Sequence, residues 1–104
     1  MEAKELRIRN YVYNEKNEIY EISWISNNIK AKVYPIPLTE QWLLDFGFVS
    51  HKQNYYKKDY FRIMIYEGIF FLEDWHDECL EIEHVHRLQN LYFALNNNEL
   101  IRKL

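Results

Sequence analysis

Apolar and polar residues repeat along this chain with two different periods. Ile29, Ala31 and Val33 alternate with Lys30, Lys32 and Tyr34. A period of two predicts a strand with one face wet. Residues 9–13 are short and β-prone. Residues 18–25 place Tyr20, Ile22 and Trp24 on one face, and the turn-forming stretch 14–17 lies between them. Together these segments predict a three-stranded meander. Pro35 and Pro37 stop it, because proline cannot donate to a central ladder.

The pattern then turns helical for a short stretch. Thr39 is a good N-cap, Glu40 suits the positive helix end, and Gly47 suits a left-handed C′ position. Trp42, Leu43 and Phe46 share one side and are expected in the core. Strands return at 55–58 and 60–66, with Phe61, Ile63 and Ile65 on one face. Glu67-Gly68 is a two-residue hairpin turn, and 69–73 pairs back. In 79–83, Leu80 and Ile82 are expected inside, with Cys79, Glu81 and Glu83 outside. From 84 to 95, Val85, Leu88, Leu91, Tyr92 and Leu95 recur at helical spacing as a core stripe. The predicted class is α+β: a largely antiparallel sheet of about five to six strands. A short helix near 39–46 and a C-terminal helix near 84–95 pack on one face.

The chain has 104 residues, enough for one domain, 1–104, and no internal repeat or linker divides it. Aromatics reach 17%, a large supply of core and contact surface. No apolar run is long enough to cross a membrane. The first ten residues lack an apolar signal core, and Cys79 is the sole cysteine. Both features predict a cytoplasmic, reducing setting.

The net charge of −3 is too small to define a partner. Its distribution is more informative. Glu73, Asp74, Asp77, Glu78, Glu81 and Glu83 crowd together around Trp75 without Lys or Arg between them. Such an acidic stripe can imitate phosphates and occupy a basic channel, with Trp75 as anchor. Just upstream, Lys52, Lys57, Lys58 and Arg62 intersperse with Tyr55 and Tyr56. Cations for phosphates and aromatic faces for unpaired bases are what single-stranded RNA requires. Each segment also reads as an ordinary solvated face. The back of the last helix carries His86, Gln89, Asn90 and Phe93, a third candidate interface.

Catalytic chemistry is not expected. His76, Cys79, His84 and His86 lack the paired spacing of zinc sites, so no metal or cofactor is predicted. Acidic neighbours push the Cys79 thiol away from a reactive thiolate. No phosphate loop, H-E-x-x-H or nucleophile elbow occurs. The chain reads as a binding protein rather than an enzyme.

Three stretches carry a resemblance. They are Leu6-Arg7-Ile8-Arg9-Asn10-Tyr11-Val12, the run from Tyr34 to Phe48 (YPIPLTEQWLLDFGF), and the run from Val85 to Leu95 (VHRLQNLYFAL). In this order they resemble a family of short proteins from phages and mobile elements of Bacteroidota. This chain has Arg9 where that family often has glycine, and Asn96 to Asn98 where it has a glycine-containing turn. The resemblance implies a bacterial host cytoplasm and a protein that binds host machinery. It points to an anti-defence inhibitor, for example an anti-CRISPR that binds an RNA-guided effector nuclease or its guide-RNA complex. The alternatives are a small RNA-binding module and an oligomeric accessory protein working through the Phe93 face.

Overall fold

The structure is a computed structural model that describes residues 6–23, 33–59, 61–73 and 79–102. Trp24 and the strand expected at 29–33, apart from Val33, lie outside the described residues. The class is α+β, as the periodicity predicts. The described residues form a two-stranded sheet, a five-stranded antiparallel sheet and two helices. They fall into two compact units.

The first unit combines the chain up to Pro37 with His84–Glu99. Strands β1 (Tyr11–Tyr13) and β2 (Ile19–Glu21) pair across the Asn14–Asn17 turn. Asn14 Oδ1 accepts from the backbone N–H groups of Lys16 and Glu18, and Asn17 takes a positive φ of 59°. Asparagine tolerates that region because its short polar side chain bonds locally. Tyr34 extends the ribbon by exchanging backbone hydrogen bonds with Tyr13 at 2.9 Å. Leu6, Val12, Ile22 and Val33 form the local core, with Tyr20 packed against them. Helix α2 (Val85–Asn96) ends at Asn97, which is left-handed with φ 55° and donates its N–H to the Phe93 carbonyl. Its core stripe is shorter than the pattern predicts. Val85, Leu88 and Tyr92 are buried, but Leu95 is 65% exposed in the last turn.

The second unit combines Leu38–Glu83 with the chain from Leu100. Helix α1 (Glu40–Asp45) starts at Thr39, whose hydroxyl accepts from the Trp42 N–H, and stops before Gly47 at φ 92°. Trp42, Leu43 and Phe46 are buried, as expected. The sheet is a meander with neighbours in chain order: β3 (Val49–Lys52), β4 (Tyr55–Lys58), β5 (Phe61–Tyr66), β6 (Ile69–Glu73) and β7 (Cys79–Glu81). Two-residue connections join β3 to β4, β4 to β5 and β5 to β6. Asn54, Asp59, Glu67 and Gly68 supply the positive φ values that such turns require. One face of the sheet buries Phe61, Ile63 and Ile65. Phe48 meets Phe61 edge-on at 6.0 Å on that side. Burying three such side chains contributes about 1.5–3 kcal/mol each. Leu80 departs from its expected burial. It lies opposite Leu72 on the inner face, but on the outermost strand, and is 47% exposed.

Arg9 holds a φ of 80°, in the region that favours glycine. Its backbone N–H donates to the Ile22 carbonyl at 2.7 Å, so the ribbon fixes this conformation. An L-residue there costs about 1–2 kcal/mol, partly offset by glycine's larger entropy loss on folding. Arg9→Gly is expected to stabilise the protein by about 0.5–1 kcal/mol, a rise of a few degrees in Tm by calorimetry. An unchanged or lower Tm would show that the Arg9 conformation carries no strain.

Candidate functional site

Adjacent residues on a strand face opposite sides, and directly paired residues face the same side. The register therefore sorts the basic segment. Lys58 pairs with Phe61 and Tyr56 with Ile63, so both face inward. Lys57 pairs with Arg62 and Tyr55 with Met64, so these four face outward. The inward pair serves the fold. Lys58 Nζ donates to the Phe46 carbonyl at 3.1 Å, and the Tyr56 hydroxyl donates to Glu40 Oε2 at 2.7 Å. Both contacts tie β4 to α1. They engage Tyr56 and Lys58 with α1, on the side of the sheet opposite Tyr55 and Lys57.

Lys52 reaches the outer face through an irregularity. The register shifts between Ser50 and Lys52, so Ser50 opposes inward Tyr56 while Lys52 opposes outward Tyr55. A β-bulge inserts one residue and reverses the side of everything beyond it. The Lys52 ammonium accordingly sits 6.0 Å from the centre of the Tyr55 ring, within cation–π range.

The outer face continues across the sheet. Phe71 pairs with Met64 and with Glu81, giving an unbroken row Lys52, Tyr55, Met64, Phe71, Glu81 over five strands. A second row contains Val49, Lys57 and Arg62. Tyr66 and Ile69 pair at the end of the same face. Glu73 shares the side of Phe71, two residues along β6, and is exposed. Cations thus stand on β3, β4 and β5, and carboxylates on β6 and β7. Val49 and Tyr66 are each 63% exposed, while Tyr55, Met64 and Phe71 are half-buried.

Of the acidic stripe, Asp74, Trp75, Asp77 and Glu78 lie outside the described residues, as does His76. Glu83 follows β7 and is exposed; its backbone carbonyl accepts from the Leu38 N–H at 3.0 Å. Met64, Tyr66 and Phe71 are not among the residues that the sequence singles out. The alternation Arg62, Met64, Tyr66 on β5 is the signal for the first two, and Phe71 joins them only through the pairing of β6 with β5.

The third candidate, the back of α2, is corrected at two of its four residues; Asn90 and Phe93 are half-buried. His86 and Gln89 are buried, at 2% and 0% exposure, and cannot present themselves to a partner. Gln89 instead holds residues 9–11 in the first unit. Its Oε1 accepts from the Tyr11 N–H and its Nε2 donates to the Arg9 carbonyl, both at 2.8 Å. Asn90 Oδ1 accepts from Arg7 Nε and from Asn10 Nδ2. The Arg7 guanidinium pairs with Glu99 and lies over the Phe93 ring at 4.3 Å. Helical spacing places these residues opposite the apolar stripe, and the polarity of three of them predicts solvent, yet Gln89 serves backbone and Asn90 serves side chains of the first unit.

Among the described residues no group of three metal-ligating side chains occurs. No helix there is long and apolar enough to cross a membrane. Comparison of the chain with protein families, with curated proteins and with solved structures finds no match.

Hydrogen bonding to Glu40, then burial, raises the Tyr56 hydroxyl above its ordinary pKa. A raised folded pKa stabilises the fold below the unfolded value, about 10. That contribution is lost as pH climbs through the raised value. Tyr56→Phe is expected to flatten this alkaline loss in a Tm-against-pH series. Gln89→Leu leaves a buried N–H and a carbonyl unpaired, so a loss of about 2–3 kcal/mol is expected by urea unfolding. A loss below about 0.5 kcal/mol would mean that the amide is dispensable.

Proposed function

We propose that this protein is a small binding module that takes single-stranded RNA on the outer face of its five-stranded sheet. The observation that carries this reading is the register. It gathers Lys52, Tyr55, Lys57 and Arg62 on one open face and adds Met64 and Phe71 beside them. Tyr55 and Phe71 offer ring surface to unpaired bases, and stacking is tolerant of base identity. Lys52, Lys57 and Arg62 neutralise phosphates. Glu73 and Glu81 repel phosphate, so the phosphate backbone keeps to β3, β4 and β5 while a base reaches Phe71 on β6. The bound stretch is a few nucleotides.

A second reading follows from the resemblance to phage and mobile-element proteins and from the acidic end of the same face. In it the chain inhibits a bacterial defence effector, such as an RNA-guided nuclease, in the host cytoplasm. Glu73 and Glu81 would dock in its basic channel. The two readings require opposite ends of the face, so charge reversals separate them.

Fluorescence anisotropy with a labelled single-stranded RNA tests the first reading. Tyr55→Ala is expected to weaken binding about 10-fold to 100-fold, the usual range for one lost stacking partner. Lys57→Glu with Arg62→Glu is expected to abolish binding, while Lys58→Met leaves it within about twofold. Three phosphate contacts imply a log–log salt slope near about −2. A flat salt response, or equal effects of Lys57 and Lys58 changes, removes the RNA reading. For the second reading, Glu73→Lys with Glu81→Lys should end protection of phage or plasmid DNA in an interference assay. Retained protection removes the inhibitor reading.

A further inference from the structure

We propose that the outer face of the five-stranded sheet also pairs two copies of the chain, face to face, about a two-fold axis parallel to β5. Such an axis leaves β5 over β5, and sets β4 over β6 and β3 over β7 of the other copy. The central row Lys52, Tyr55, Met64, Phe71, Glu81 is complementary to itself under this operation. Lys52 meets Glu81 of the second copy, Tyr55 meets Phe71, and Met64 meets Met64. The Lys52–Glu81 contact forms twice, and the rings and thioethers fill the centre. An isologous contact of this type closes after two copies and leaves no open end.

The neighbouring row agrees. Lys57 on β4 is set towards Glu73 on β6 of the second copy. Arg62 lies over its own counterpart. One register step beyond the Ile63–Leu72 pair, each Arg62 also stands beside Glu73 of its own sheet, which tempers that repulsion. Val49, Tyr66 and Ile69 supply further exposed apolar surface on the same side. Sheets stacked in this way sit about 10 Å apart, near enough for these side chains to interleave. The row spans four strand spacings, roughly 19 Å. That is a small interface, so association is weak and concentration-dependent.

The pairing rests on the geometry of this face alone. Its consequence for RNA rests on the RNA reading above. Both uses cover Tyr55, Lys57 and Arg62, so RNA and the second copy exclude each other, and RNA converts dimer to monomer.

Sedimentation equilibrium of the RNA-free full chain over a wide dilution series tests the pairing. The wild-type mass is expected to rise from 13.0 kDa towards twice that value. Lys52→Glu and Glu81→Lys each create two like-charge contacts and are expected to weaken association about 10-fold or more. Both positions are exposed, so both variants should fold, with circular dichroism as the check. Mixing the two variants restores both contacts in a heterodimer, and the mixture is expected to associate as the wild type does. A mass that stays at 13.0 kDa overturns the pairing, as do single variants that dimerise normally. A mixture that fails to associate while the wild type dimerises overturns it too. A dimer indifferent to RNA, with no RNA binding by anisotropy, refutes only the RNA reading. RNA binding by a strict monomer refutes only the pairing.

Discussion

Strand parity, locked by tight turns, governs what the five-stranded sheet shows on each face. Three connections of two residues join β3, β4, β5 and β6, and positive φ values occur in each. A two-residue turn leaves no slack, so shifting the register by one residue would turn every side chain of a strand to the other face. Burial of Phe61, Ile63 and Ile65 on one side fixes which register wins. Each outward residue is then where it is because an inward neighbour is apolar. The bulge in β3 breaks strict alternation and puts Lys52 beside Tyr55.

The first unit depends on a different device. Residues 7–11 have irregular backbone on one side of a short ribbon, and α2 satisfies it with side chains. Gln89 bonds both backbone groups it faces, and Asn90 joins Arg7 to Asn10. A buried amide with its partners in place fixes one arrangement, because any slip leaves donors and acceptors unpaired in a low-dielectric interior. The Arg7–Glu99 pair and the Phe93 ring extend the same cluster towards solvent. Polar residues on α2 therefore carry structure.

Charge on the outer face is sorted by strand order. Basic residues belong to the first strands of the meander and acidic ones to the last, because basic and acidic segments follow each other in the chain. A meander converts order along the chain into position across the sheet. The result is a face with a cationic end, an aromatic and thioether centre, and an anionic end. Such a face suits a polyanion at one end, a basic surface at the other, and its own inverted copy across the whole.

The sequence by itself determined the class, the two helices, the Thr39 cap of the first, the Glu67-Gly68 turn, and the alternation that buries β5. These are local choices, set by propensity, capping and period over a few neighbouring residues. Tertiary structure decided the rest. Lys57 and Lys58 look equivalent in the chain, yet one faces solvent and the other holds a helix carbonyl, because pairing with β5 fixes their sides. Gln89 and His86 look like a polar helix back, yet they are buried. The backbone that Gln89 serves is about 80 residues away in sequence. A hydrogen-bond debt that distant leaves no local trace, so only the folded chain reveals it.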